Sequence, residues 1–249
     1  MSSAPASPPV PASALRLRLD TALALLAQAG LPADVGQAGS AEWLQGVIDG
    51  LCQLSSRDAL TGLANRRHFE MVLARELDRV ARSGEPALLL VADIDHFKRV
   101  NDMHGHAVGD AVIQAVAQAL QDSVRPMDTV ARVGGEEFAI VLPNCPPAFG
   151  PTVAERIRRR VEGREVALAF GAPLSVTVST GGAFAAQWVR STVALWFERA
   201  DKQLYRAKSE GRNRAAFEPA AVSQVSAEEK GLLFAASSVA PLDLKDDSP

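Results

Sequence analysis

Hydrophobic residues recur along the chain with two different periods, and each period predicts a different kind of element. Apolar residues at helical spacing predict helices over residues 15–29, from Ser40 as N-cap to residue 54, and over 107–124, 151–162 and 191–209. Short apolar runs, bounded by turn residues, predict strands over 87–94, 129–133, 138–142, 174–183 and 213–217. This order predicts an α/β fold (an α+β sandwich) with a central, largely antiparallel five-stranded sheet flanked by helices, preceded by short N-terminal helices.

The two ends of the chain lack this periodicity. Residues 1–13 are rich in proline, alanine and serine, and residues 219–249 show no apolar period, so both are predicted to be disordered. Residues 14–55 form a predicted N-terminal helical segment, and residues 56–218 form the main domain. The apolar stripes of the N-terminal helices have three possible partners: each other, the main domain, or a second copy of the chain.

Composition limits the classes of function. The chain of 249 residues accommodates one domain with appendages, and its net charge of −3 argues against a nucleic-acid binder with a broad basic surface. No apolar run approaches the roughly 18 residues that a membrane span needs, and the first residues lack the features of a signal peptide. The two cysteines, Cys52 and Cys145, have no metal-ligand spacing. A cytoplasmic protein is expected, and any phosphate recognition has to come from a local site.

A hairpin with an acidic tip is the most informative feature. Gly134 and Gly135 connect the strands predicted over 129–133 and 138–142, and glycine is expected here because a tight turn requires positive φ. Glu136 and Glu137 follow at the tip, where glycines leave room for a ligand. A turn does not need two adjacent carboxylates, whereas a magnesium–phosphate site uses them as oxygen ligands.

A second pair of carboxylates stands at the end of the strand over 87–94. Asp93 and Asp95 are alternate residues, so both side chains are expected on one face of the sheet. A carboxylate at a strand end is as often a turn or cap residue as a ligand. Together with the acidic hairpin tip, however, the pair supplies enough oxygens for one or two divalent ions.

The segment from Gly134 to Phe138 resembles the signature of the GGDEF family of diguanylate cyclases, which condense two GTP into cyclic di-GMP. Four further segments match in family order, so that the resemblance spans residues 56–217. They begin with Asp58 to Arg67, a structural turn in which Asp58 is expected to pair with an arginine. The others contain the Asp93–Asp95 element, the sequence from Asn101 to Asp110, and the sequence LYRAKSEGRNR.

The resemblance implies a nucleotidyl-cyclase, palm-like fold and roles for particular residues. Asp93, the carbonyl of Ile94, Glu136 and Glu137 would hold Mg²⁺ (or Mn²⁺), and Glu136 would also deprotonate the 3′-hydroxyl. Lys98 would lie near the phosphates and is, with Glu136, the second implied catalytic residue. The remaining substrate-binding positions implied for GTP are Asn101, His106, Asp110, Gly134, Gly135, Lys208 and Arg212.

The residues alone favour a plainer interpretation for part of this set. Asn101 fits a turn, Asp110 an exposed helical position, and Lys208 and Arg212 a basic helix end. The resemblance instead assigns Asn101 and Asp110 to guanine, whose N1–H and amino group a carboxylate accepts, and Lys208 and Arg212 to the terminal phosphates.

The resemblance also implies regulation and assembly. Arg125, Asp128 and Arg156 match an inhibitory site at which cyclic di-GMP binds, although the pattern RxxD carries little information by itself. A homodimer, at least transient, is implied because one GTP site cannot close a cyclic dinucleotide. Two alternatives stay open: a non-catalytic cyclic di-GMP receptor that uses the RxxD site, and a protein that acts chiefly through its N-terminal helices.

Overall fold

The computed structural model describes residues 19–31, 37–168, 172–186 and 191–218. The ends predicted to be disordered, 1–13 and 219–249, lie outside these residues. So does the part of the first predicted helix that precedes residue 19.

The described residues form seven helices and eight strands. The helices are α1 (Asp20–Gln28), α2 (Ala41–Ser56), α3 (Arg66–Ser83), α4 (Phe97–His104), α5 (His106–Gln121), α6 (Gly150–Glu162) and α7 (Val193–Ser209). The strands are β1 (Ala64–Asn65), β2 (Ala87–Ile94), β3 (Thr129–Arg132), β4 (Glu137–Pro143), β5 (Glu165–Val166), β6 (Leu174–Ser175), β7 (Val178–Phe184) and β8 (Ala215–Phe217).

The main sheet has six strands in the order β1-β3-β4-β2-β7-β8. The three central pairings are antiparallel and the two outer ones, β1 with β3 and β7 with β8, are parallel, which confirms a largely antiparallel sheet. The predicted number of five strands is wrong because the two-residue strand β1 is too short to show a period. The strand predicted over 174–183 is also two strands, of which β6 pairs with β5 in a separate small sheet.

Strand β2 forms the centre of three layers. All eight of its residues are buried, which explains its continuous apolar character. Leu88 and Leu90 pack in one core with residues of α4, α5 and α6, whereas Leu89 and Val91 pack in the other with residues of α3 and α7. By the same alternation, Asp93 emerges on the α3/α7 side as the strand ends.

Caps define several helix ends. The predicted N-cap Ser40 is confirmed, since its hydroxyl accepts from the N–H of Trp43 at 3.1 Å. Helix α3, which the sequence analysis did not predict, begins after Asn65, whose side chain accepts from the N–H of His68. Helix α1 packs on α2, with Leu26 against Gly50. Among the described helices, none has the length and apolar character to cross a membrane.

Candidate active site

Strand pairing brings the two acidic segments together. In the antiparallel ladder between β2 and β4, Asp93 lies opposite Glu137. Beyond this pair, the N–H of Ile94 donates to the carbonyl of Glu136 at 3.2 Å. Residues opposite each other in a ladder project to the same face. The end of β2 and the hairpin tip therefore form one acidic edge.

The prediction that the two hairpin glycines adopt positive φ is wrong. Neither Gly134 nor Gly135 has φ in the left-handed range, so positive φ is not why glycine stands there. A Cβ on Gly134 would lie 2.3 Å from a carboxylate oxygen of Glu137, whereas a Cβ on Gly135 would meet nothing within 4 Å. Gly134 thus makes room for the Glu137 side chain, and Gly135 leaves open space beside Glu136.

Arg132, which no sequence motif indicated, holds this turn in place. Its guanidinium donates to the carbonyl of Gly135 at 2.8 and 3.1 Å and pairs with Asp58 at 3.3 Å. The prediction that Asp58 pairs with an arginine is confirmed. Burial opposes ionisation of Asp58, but hydrogen bonds from Thr61 and the charge of Arg132 outweigh it and lower the pKa of the carboxyl.

A lysine from α7 neutralises the acidic edge. Asp93 is only 6% exposed, and its carboxylate pairs with the ammonium of Lys208 at 2.8 Å. Burial raises the pKa of Asp93, and the Lys208 ammonium lowers it. The charge of Asp95 raises this pKa further, whereas the charge of Arg212 lowers it. The pKa of Glu136 is also raised, first by burial and then by the charge of Asp93. These carboxylates therefore lie within electrostatic range of one another and of two cationic side chains.

The carboxylates fit a divalent ion that substrate oxygens also bind. Within the described residues, no three acidic, histidine or cysteine side chains converge as a complete metal cluster. Mg²⁺ commonly takes only one or two carboxylates and completes its shell with water and phosphate oxygens. Asp93 already accepts a cation, the Lys208 ammonium, and lies near Glu136. The donor set thus suits Mg²⁺ together with a nucleotide.

Asp95 does not contribute to this edge, contrary to expectation. It lies near Asp93, but its carboxylate accepts hydrogen bonds from the hydroxyls of Thr177 and Ser179 at 2.7 and 2.6 Å. It also accepts from the backbone N–H of Asn213 at 3.0 Å. With both oxygens occupied by protein donors, Asp95 is a structural residue and not a metal ligand.

Asn101 and Asp110 lie where helices α4 and α5 pack together. Asn101 contacts Gly109, the neighbour of Asp110, so closely that a Cβ on this glycine would lie 1.9 Å from Asn101 Oδ1. This oxygen is buried and has no hydrogen-bond partner within the described part of the chain. A buried acceptor without a donor is costly, which points to a donor supplied by a ligand. Asp110 is exposed beside it.

The other predicted substrate residues are less closely grouped. Lys98 is exposed in the first turn of α4, directly after the end of β2, and His106 is exposed at the start of α5. Arg212 follows α7 with a left-handed φ of 62° and acts electrostatically on Asp93. The structure therefore brings Asp93, Glu136, Lys208 and Arg212 together, and it leaves His106 without a contact to them.

Arg125, Asp128 and Arg156 line one cavity of about 280 Å³ between the segment before β3 and helix α6. The Asp128 carboxylate accepts from the N–H of Arg125 at 2.7 Å, and Arg156 donates to the carbonyl of Ser123 at 3.0 Å. Burial raises the pKa of Asp128, and both arginines oppose this. Two guanidinium groups beside one carboxylate leave the cavity with an excess of positive charge.

A three-layer α/β domain with carboxylates, a lysine and an arginine at the end of its central strand has the charged groups that a metal-bound phosphate ligand requires. Comparison with known proteins agrees. Residues 55–214 match the family described as "Diguanylate cyclase, GGDEF domain", and the chain belongs to this family. Members of this family generally use divalent metal ions.

Individual relatives show the same match. The response regulator PleD of Caulobacter vibrioides is 39% identical over 173 residues, which are 69% of this chain and 38% of PleD. Diguanylate cyclase DgcP of Pseudomonas aeruginosa is 43% identical over 166 residues, or 65% of this chain and 24% of DgcP. The chain thus matches well under half of the length of either relative.

A solved structure supports the fold. The coiled coil and GGDEF domain of DgcB from Caulobacter crescentus, in complex with c-di-GMP, superimposes with a TM-score of 0.66 at 34% identity. The match covers 70% of this chain and 92% of that one.

Proposed function

We propose that this protein is a diguanylate cyclase that converts two GTP into one cyclic di-GMP and two diphosphates. The observation that carries the proposal is the convergence of Asp93, Glu136 and Lys208 at the end of β2, where acidic and phosphate-binding motifs of the family meet. A chain that kept the fold but served only as a receptor would have no need for this arrangement of charges.

Asp93, the carbonyl of Ile94, Glu136 and Glu137 are the groups that would hold Mg²⁺ (or Mn²⁺). When bound, the ion would polarise the α-phosphate and lower the pKa of an attacking hydroxyl. Lys208 would then exchange its contact with Asp93 for the terminal phosphates, together with Arg212. This exchange keeps the buried carboxylate paired with a cation both before and after substrate binds.

Glu136 is the group proposed to accept the proton of the 3′-hydroxyl. Burial and the neighbouring carboxylates raise the pKa of Glu136 in the metal-free protein. An ionised carboxylate within hydrogen-bond reach of the hydroxyl can accept its proton. Asn101 and Asp110 would recognise the guanine, and Lys98 would lie near the phosphates. The open space at Gly135 would admit the nucleotide beside Glu136.

Two subunits are required because each site holds one GTP and the product contains two new phosphodiester bonds. In a two-fold arrangement, each 3′-hydroxyl attacks the α-phosphate of the partner's GTP, and each attack releases diphosphate. We therefore propose a homodimer that forms at least during turnover. The reaction needs cellular GTP, in agreement with the expected cytoplasmic location.

Purified protein incubated with GTP and Mg²⁺ tests the proposal, with the products separated by chromatography. Cyclic di-GMP and diphosphate are expected in a ratio of one to two. Glu136→Gln is expected to lower the rate at least about 100-fold, the usual size of general-base catalysis, while the exposed change Glu165→Gln leaves it unaltered. Absence of diphosphate from the wild type at every protein concentration would refute the proposal.

We also propose that cyclic di-GMP inhibits the enzyme at the cavity lined by Arg125, Asp128 and Arg156. The planar arginine forks suit its phosphates, and they stack on guanine rings. Added product is expected to suppress turnover of the wild type but not of Arg125→Ala, with Arg75→Ala, an exposed position on α3, as the matched control. Tight binding of cyclic di-GMP by a protein without turnover would instead indicate a receptor.

A further inference from the structure

Asp95 connects the end of β2 to two other parts of the molecule. It is only 5% exposed, and its Oδ2 and Oδ1 accept from the hydroxyls of Thr177, directly before β7, and Ser179, within β7, respectively. The backbone N–H of Asn213, in the loop between α7 and β8, donates to Oδ2 at 3.0 Å. One buried carboxylate therefore fixes this loop to the sheet.

Asn213 extends the connection to helix α6. Its side-chain amide donates to Glu162 at 2.8 Å and its side-chain oxygen accepts from Arg158 at 2.9 Å. Thus Asp95, directly after β2, holds the backbone of Asn213, and helix α6 holds its side chain.

These contacts surround a segment of unfavourable backbone conformation. Gly211, Arg212 and Asn213 are consecutive and have φ of 117°, 62° and 48°. Residues with a side chain rarely adopt positive φ, and such conformations persist where the surrounding structure enforces them. The N–H of Arg212 donates to the carbonyl of Ala207 in α7 at 3.0 Å, and directly after the segment the carbonyl of Arg214 accepts from the N–H of Thr180 in β7 at 2.9 Å. Between these two contacts, Asn213 is held by Asp95 and by α6.

We propose that Asp95 and Asn213 are positioning residues, which hold the loop so that Arg212 is presented beside Lys208 at the acidic edge. If Arg212 relaxed to an ordinary negative φ, its side chain would project in a different direction from the backbone and leave the neighbourhood of Asp93. The inference rests on the proposed function, because only there do Lys208 and Arg212 bind the terminal phosphates of GTP.

The test compares two nucleotides that differ only in the phosphates concerned. Binding of a non-hydrolysable GTP analogue and of GMP, both with Mg²⁺, is measured by competition with a fluorescent guanine nucleotide. Asp95→Ala removes the anchor, whereas Asn213→Gly removes the contacts with α6 but tolerates the positive φ. Each variant is expected to weaken binding of the analogue about 10-fold, the usual effect of losing a supporting contact. Binding of GMP is expected to weaken less than about 2-fold.

A conservative change and a combined change distinguish positioning from general damage. In Asp95→Asn the amide oxygen can still accept from the N–H of Asn213, and the amide NH₂ can donate to the hydroxyl of Ser179, so near-normal preference for the analogue is expected. In an Arg212→Ala background, Asp95→Ala is expected to have no further effect on the analogue, because both changes remove the same interaction.

The outcomes separate this inference from the proposed function. Wild type that binds neither the analogue nor GMP would overturn both. If the wild type prefers the analogue but the variants lose affinity for the analogue and for GMP equally, the positioning role alone is overturned. If Asp95→Ala fails to fold, Asn213→Gly decides: an unchanged ratio of the two affinities overturns the inference, and a selective loss of the analogue supports it.

Discussion

Gly109→Ala is the sharpest perturbation of the proposed guanine site. The new Cβ would lie 1.9 Å from Asn101 Oδ1 and 3.2 Å from the ring of Phe97. Ordinary contacts begin near 3.4 Å, so the amide of Asn101 has to retreat by about 1.5 Å. A displacement of this size removes a hydrogen bond between Asn101 and the base.

The magnitude follows from the burial of the Asn101 oxygen. Losing the donor to a buried acceptor costs about 1–3 kcal/mol, which corresponds to about 5- to 150-fold weaker binding of GTP. Alanine is favoured over glycine in a helix by up to about 1 kcal/mol, and this gain offsets part of the steric cost to folding. A large loss of affinity with a small change in the melting temperature is therefore expected of Gly109→Ala.

Calorimetric titration with non-hydrolysable GTP and ATP analogues measures this effect. Affinity for the GTP analogue is expected to fall, whereas the weaker affinity for the ATP analogue stays the same, because adenine lacks the donor pair of guanine. Asn101→Ala combined with Gly109→Ala is expected to be no worse than Asn101→Ala alone. A folded Gly109→Ala protein that binds the GTP analogue as tightly as wild type would refute the contact between Asn101 and the base.

Three further predictions concern the hairpin turn and its support. Gly135→Ala is expected to leave the melting temperature unchanged but weaken GTP binding, because its Cβ enters the open space beside Glu136. Gly134→Ala is expected to displace the Glu137 side chain and lower the affinity for Mg²⁺ measured by titration with nucleotide present. Because Asp58 has a lowered pKa in the folded protein, its contribution to stability is present above its ordinary pKa of 3.8 and is lost as the pH falls through the folded value. Asp58→Asn should therefore lower the free energy of unfolding in urea at pH 7, and the difference from wild type should shrink at pH 3; an equal difference at both values would contradict this.

The predictable part of the fold is the part that local pattern specifies. Strand β2 is recognisable because it is buried on both faces. All of its eight residues except Asp93, near its carboxyl end, are therefore apolar. Helix α5 is recognisable because its buried residues recur at helical spacing. Strand β1 belongs to the main sheet through its parallel pairing with β3, which is distant in sequence. No period in two residues reveals such a pairing.

The same distinction applies to the site. Alternation along β2 correctly places Asp93 and Asp95 near each other, but it does not say which donors each carboxylate meets. The donors of Asp95 come from Thr177, Ser179 and Asn213, more than 80 positions away. Two chemically identical residues, two positions apart, therefore become a candidate ligand and a structural anchor, and only the tertiary structure distinguishes them.

The layered architecture explains why the acidic edge lies at the end of β2 and not within the sheet. Helices α4 and α5, which carry the proposed guanine site, pack on one face, while α7, which carries Lys208, packs on the other. A bound GTP that contacts both has to pass from one face to the other, and the hydrogen-bonded strands block every route except around their ends. At the end of β2 this route runs past Gly135, whose missing side chain leaves the space open. In the proposed function, the turn would therefore admit the nucleotide through this open space, and the neighbouring carboxylates would hold its metal ion.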